Sequence, residues 1–95
     1  MGRGINRLSA RAVETAKNSG LLADGGGLYL QVSKAGSKSW LYKFMLNGRS
    51  REMGLGSLKA ISLADAREKA TLCRASLVDG VDPIEARKSD RSRRI

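Results

Sequence analysis

Between residues 34 and 51 the sequence places Lys34, Lys38, Lys43, Arg49 and Arg51 with no Asp or Glu among them. Five cations so close together repel one another, and phosphate groups would relieve that repulsion by displacing counterions. The block belongs to a wider excess. The 95 residues hold 18 Lys and Arg against 9 Asp and Glu, a net charge of +9. Residues 1–22 carry Arg3, Arg7, Arg11 and Lys17 against Glu14, and residues 83–95 carry a second basic cluster. The stretch 52–82 is nearly balanced. A charge of this size in so short a chain points to a polyanionic partner, most often nucleic acid.

Other residues suggest chemistries that their context removes. Gly25-Gly26-Gly27 has the composition of a phosphate cradle. No strand is expected before it and no Gly-Lys-Ser/Thr follows, so it reads as a turn. Trp40, Tyr42 and Phe44 could stack on bases, as in RNA-binding sheets. They share a face with Leu28, Leu30, Met53 and Leu55, which favours a core. The chain has no His and one Cys. That excludes an intrachain zinc site, a disulfide framework and His-based hydrolase arrangements. No cofactor and no metal is expected, and Cys73 reads as a small buried hydrophobe. The cysteine usage fits a reducing cytoplasm, and no apolar run approaches the ~20 residues of a membrane span. The first residues lack both a signal-peptide core and a myristoylation signal.

The elements that must position the cations follow from spacing. Ser9 caps a short helix that runs through Lys17, with Leu8, Ala12, Val13 and Ala16 on one stripe. Asn18-Ser19-Gly20 ends it, and Asp24–Gly27 turns. Leu28–Val32 and Lys38–Leu46 alternate as strands. Asn47-Gly48 is a hairpin signal, because both residues tolerate positive φ. Arg49–Leu55 is then the third strand. Parity pairs Leu46 with Arg49, Phe44 with Arg51, Tyr42 with Met53 and Trp40 with Leu55 on a core face. Val32 must oppose Lys38, and Leu30 must oppose Trp40, across the loop 33–37. Ser62 opens a long helix whose Leu63, Ala66, Ala70, Cys73 and Leu77 recur every three or four residues. Gly80 stops it and Pro83 follows. The fold expected is α+β: a three-stranded antiparallel β-sheet, a long C-terminal α-helix packed on one face, and a short N-terminal helix. Residues 1–82 form the domain, and residues 83–95 read as a helix start or a basic linker.

One sheet face is thereby left bare, with Tyr29, Gln31, Leu41, Lys43, Met45, Ser50 and Glu52 on it. Leu41 and Met45 there suit either a neighbouring domain or thymine methyl groups in a groove. Glu52 could accept from a cytosine amino group or pair with a nearby cation.

Six motifs in order resemble a known family. They are Asp24–Val32, Gly36–Trp40, Asn47-Gly48-Arg49, Gly54–Ser57, Ser62–Arg67 and Gly80–Ile84, preceded by the opening Leu8–Val13. The sequence is similar to the N-terminal arm-type DNA-binding domain of prophage and genomic-island integrases, which are tyrosine recombinases. The resemblance runs from Leu8 to about Lys88. It implies sequence-specific binding of double-stranded DNA at arm-type attachment sites, with the bare face in the major groove. It also implies other integrase protomers as partners, a bacterial cytoplasmic, nucleoid-associated location, and no membrane. Central and catalytic domains follow in the family, so this chain would be a fragment without catalytic activity. Family members often carry Arg or Lys where this chain has Leu41, Met45, Ser50 and Glu52.

On this reading Gln31, Lys43 and Ser50 contact base edges, with Leu41 and Met45 as apolar readers. Lys34, Ser37, Lys38, Ser39, Asn47, Arg49 and Arg51 hold phosphates at the two hairpin ends, and Arg3 and Arg7 add backbone contacts. The five cations of the central block would give a salt slope near −4 to −5. The alternatives are a small basic RNA- or ribosome-associated protein, whose Trp40 and Tyr42 would stack on bases, and a protein-interaction module docking through Leu41 and Met45.

Overall fold

A computed structural model describes residues 7–93. In chain order these form α1 (Ala10–Thr15), β1 (Gly20–Gly25), β2 (Leu28–Val32), β3 (Lys38–Leu46), β4 (Arg49–Ser57), α2 (Leu63–Val78) and α3 (Pro83–Arg93). The strands make one antiparallel sheet in sequence order.

The sheet therefore has four strands, where three were expected. The added strand β1 occupies the stretch read as a helix end followed by a turn. It pairs Leu22 with Leu30 and Leu21 with Gln31. Its alternation is masked because Leu21 and Leu22 are adjacent and only one of them faces the core. Leu22 packs against the core, while Leu21 is 42% exposed. Asp24, two residues after Leu22, faces inward at 2% exposure, and the register shifts beside it, between Ala23 and Gly25. A strand thus does precede the glycine run, contrary to expectation, and Gly26-Gly27 is the tight turn joining β1 to β2. Gly27 is required there. It sits at φ +96°, and a Cβ would lie 2.7 Å from the Lys43 carbonyl oxygen.

The registers of β2 with β3, and of β3 with β4 as far as Tyr42↔Met53, follow the parity argument. Beyond that point a bulge shifts the pairing, so Trp40 opposes Gly56 rather than Leu55. Asn47 and Gly48 have φ of 54° and 77°, the two positive values a type I′ turn needs.

One face of the sheet is covered. Leu28, Leu30, Val32, Trp40, Tyr42, Phe44 and Met53 meet Ala66, Ala70 and Cys73 of α2, with Val13 of α1 at the edge. Each large side chain buried here contributes about 1.5–3 kcal/mol. The Tyr42 and Phe44 rings stack with centroids 5.8 Å apart. The Trp40 indole N–H donates to the Ile61 carbonyl at 2.7 Å, which satisfies this buried donor. These aromatics are core side chains and cannot stack on bases. Burial also raises the Cys73 thiol pKa, although Arg87, Arg74 and Lys69 oppose that rise.

Asp24 joins three elements. Its carboxylate accepts from the Leu8 backbone N–H at 2.8 Å and from the Arg67 guanidinium at 2.9 and 3.0 Å. The same guanidinium donates to the Leu8 carbonyl at 2.6 Å. Burial alone would raise the Asp24 pKa; the Arg67 and Leu8 hydrogen bonds and the Arg67 charge outweigh it and hold the carboxyl below its ordinary value.

The long helix is not the last one. Ser62 caps α2 by accepting from the Asp65 N–H, and after Gly80 the chain forms α3, where the sequence reads as a helix start or a basic linker. Pro83 is buried at its start, and Asp82 accepts from the Ile84 N–H at 2.8 Å. The polar composition of α3 left its extent unmarked, since a helix held by its first turn and by charged contacts needs little apolar stripe.

Candidate nucleic-acid interface

Among the described residues the face opposite α2 carries no helix. Pairing lays out its side chains in rows: Leu21, Gln31 and Ser39; then Ala23, Tyr29, Leu41 and Gly54; then Lys43 and Glu52; then Met45 and Ser50. Gln31, Met45, Ser50 and Glu52 are exposed, while Ser39, Leu41, Lys43 and Tyr29 are half-buried. Beyond Tyr42, β3 has no β2 partner. From Lys43 to the Asn47-Gly48 turn and back to Glu52 the sheet is a two-stranded ribbon. B-DNA's major groove, about 12 Å wide, admits such a ribbon. Lys43, Met45, Ser50 and Glu52 lie on one side of it.

The edge strand adds Leu21 and Ala23 to this face, which sequence reasoning missed with β1 itself. Parity from Leu22, once that residue is assigned to the core, would have found them. Tyr29 was assigned to the face but given no task. Its ring lies 5.3 Å from the Lys43 ammonium, within cation–π range.

The five cations of the central block divide into two groups. Lys34 and Arg49 are exposed at opposite ends of the sheet, and Lys43 stands on the open face. Lys38 is engaged internally: its ammonium donates to the Val13 and Glu14 carbonyls, both at 2.8 Å. It satisfies two of the carbonyls that the end of α1 leaves without helical partners. Arg51 lies on the covered face of the ribbon and pairs with Asp82 at 2.5 Å, with Glu85 at 3.9 Å. Burial acts to raise the Asp82 pKa, but the Ile84 N–H and Arg51 lower it on balance. The phosphate-holding role expected of Lys38 and Arg51 therefore competes with contacts that hold α1 and α3 in place.

Around the ribbon tip, Asn47, Arg49, Ser50 and Arg51 border an open cleft of about 700 Å³ with Leu46 and Asp82. At the other end Ser37, Lys38 and Lys59 border a second, of about 580 Å³. Ser37 is exposed there, and its N–H donates to the Ser33 hydroxyl at 3.0 Å, which shapes the loop. Arg7 is exposed, and its backbone N–H donates to the Asp24 carbonyl. Arg3 lies outside the described residues. Two further arginines hold the sheet from behind. Arg74 donates to the Gly26 carbonyl at 2.9 Å, and Arg87 to that of Gly54 at 2.7 Å. Among the described residues no helix is long and apolar enough to cross a membrane.

The fold and this face define a small basic α+β module with one sheet surface open to a polyanion. Residues 8–90 match the Arm DNA-binding domain family, and the chain belongs to it. It is an N-terminal arm-type DNA-binding domain of the integrase kind. It is 41% identical over 91 residues to the integrase of Enterobacteria phage P4, covering 90% of this chain and 21% of that protein. Over 85 residues it is 33% identical both to the integrase of Shigella phage Sf6 and to prophage integrase IntS of Escherichia coli K12, covering 86% of this chain and 22% of each. The chain thus spans about a fifth of the length of these relatives.

Proposed function

We propose that this domain binds double-stranded DNA sequence-specifically at arm-type sites of phage or island attachment DNA, as the N-terminal module of a site-specific integrase. The ribbon formed by β3 and β4 enters the major groove with its open side toward the bases. Lys43, Gln31 and Ser50 meet base edges, and Leu41 and Met45 meet thymine methyl groups. Lys34, Ser37, Ser39, Asn47 and Arg49 hold phosphates along the flanks, with Arg7 beside them. The domain itself catalyses nothing; strand exchange belongs to other parts of the parent protein, acting with other integrase protomers in the bacterial cytoplasm at the nucleoid.

The observation that carries this reading is the open ribbon face bearing Lys43, flanked by the exposed Lys34 and Arg49, in a chain of the Arm DNA-binding domain family. An RNA-stacking role is not favoured, because Trp40 and Tyr42 are 1% and 2% exposed. The test is a competition titration at fixed salt between an arm-site duplex and a random duplex. The arm site should bind at least about tenfold more tightly. Equal affinities would reject sequence-specific recognition.

A further inference from the structure

Lys43 and Glu52 are direct partners across the β3–β4 ribbon, on its open side. Opposite charges so placed ordinarily pair with each other. Here they do not: among the described residues the ion pairs within 4.0 Å involve only Arg51 and Arg67 with their acids. The Lys43 ammonium instead lies over the Tyr29 ring, on the neighbouring strand. An aromatic face attracts a cation without accepting its protons in a directed hydrogen bond, so the ammonium keeps donors for another partner. Glu52 stays exposed.

Resting on the DNA-reading role proposed above, we propose that Lys43 and Glu52 together read one guanine–cytosine base pair, and that Tyr29 is the positioning residue that keeps them apart. A carboxylate carried into a groove lined by phosphates is unfavourable unless it meets a donor. The major-groove edge of cytosine presents one, the N4 amino group. The guanine of the same pair presents O6 and N7, acceptors suited to a lysine. In a G·C pair the acceptors lie on one base and the donor on the other. That matches a cation and an anion on two adjacent strands about 4.7–4.9 Å apart. An A·T pair instead sets its amino donor between two acceptors and adds a methyl group, which suits a separated pair of charges less well. The negative charge that sets this chain apart from a uniformly basic face thereby becomes a specificity determinant.

The experiment is selection of bound duplexes from a random-sequence double-stranded pool, followed by sequencing, using the full 95-residue chain and its variants. The unmodified chain should enrich a motif with one invariant G·C position. Lys43→Ala and Glu52→Ala should each relax that same position, roughly ten- to a hundredfold, and leave the others intact. Tyr29→Leu should relax it too, while Tyr29→Phe, which keeps the ring, should preserve it. Thermal denaturation monitors folding, and the Lys43 and Glu52 variants decide the matter if Tyr29→Leu unfolds. The proposal is overturned if the two charge variants relax different positions, if the shared position is A·T, or if folded Tyr29→Leu leaves the motif unchanged. A pool that enriches no motif with the unmodified chain would instead reject sequence-specific DNA reading as a whole, and this inference with it.

Discussion

The two faces of the sheet come from the same strands, and neighbouring residues on one strand meet opposite fates. Trp40, Tyr42 and Phe44 of β3 are buried under α2, while Lys43 and Met45 between and beyond them stand on the open side. The covered face supplies the free energy of folding. The open face carries groups that folding does not use. The cations show that charge and availability differ. Lys38 and Arg51 belong to the same basic block as Lys34, Lys43 and Arg49, but the first two stabilise helix ends and the last three face outward. Counting charges in the sequence overstates the charge ready for a partner.

Substitutions can break or sharpen that contrast. The largest effect is expected on the covered face: Trp40→Ala removes a filled core and an indole hydrogen bond, at about 3–5 kcal/mol of stability by denaturant unfolding. DNA binding would fall only because the domain unfolds. If this variant were as stable as the parent, the covered face would not be the core.

Asp24→Ala comes next, at about 3 kcal/mol, because Arg67 and the Leu8 N–H lose a buried acceptor. The pH dependence has a definite sign. The folded Asp24 pKa is lowered, so its contribution is fully present above the unfolded carboxyl value near 4 and is lost as pH falls through the folded value. Acid titration of the parent chain and of Asp24→Ala should therefore diverge above pH ~4 and converge below it. Parallel curves would remove the role assigned to this ion pair.

On the open face Lys43→Ala should leave stability within about 0.5 kcal/mol. It should lower discrimination between arm-site and random duplexes by about 1–3 kcal/mol in competition titrations. Uniform weakening on both duplexes would make Lys43 a phosphate contact instead.

The smallest effects separate the two kinds of cation. With Lys34 and Arg49 as its phosphate contacts and Lys43 at a base edge, the central block should give a log–log salt slope of about −2, shallower than five free cations would give. Arg49→Ala should flatten that slope by about one. Lys38→Ala should leave the slope unchanged and cost about 1 kcal/mol of stability through the end of α1. The reverse pattern would exchange their roles.

Much of this contrast was legible in the sequence. Parity from the Asn47-Gly48 turn placed Phe44, Tyr42 and Trp40 on one face and Lys43 and Met45 on the other, because a two-residue hairpin fixes register. What was not legible depended on contacts between distant segments. β1 is an edge strand with adjacent leucines, so it lacks the alternation of a half-buried strand. The bulge beside Trp40 depends on Gly56, where a Cβ would lie 2.7 Å from the Ile61 side chain. The engagement of Lys38 by α1 joins residues 24 and 25 positions apart. No local pattern signals it. The bare face was legible as a surface, but the Tyr29–Lys43 contact crosses strands diagonally and emerges only with the side chains in place.

The central claim is that the open side of the ribbon, and not the helical side, meets DNA. Amide chemical-shift mapping of the labelled chain, titrated with an arm-site duplex, tests it most directly. Shifts are expected at Tyr29, Gln31, Leu41, Lys43, Met45, Ser50 and Glu52 and at the Asn47-Gly48 turn, with the outward residues of α2, such as Glu68 and Leu72, unchanged. Shifts concentrated along α2 and α3 with the ribbon silent would contradict it.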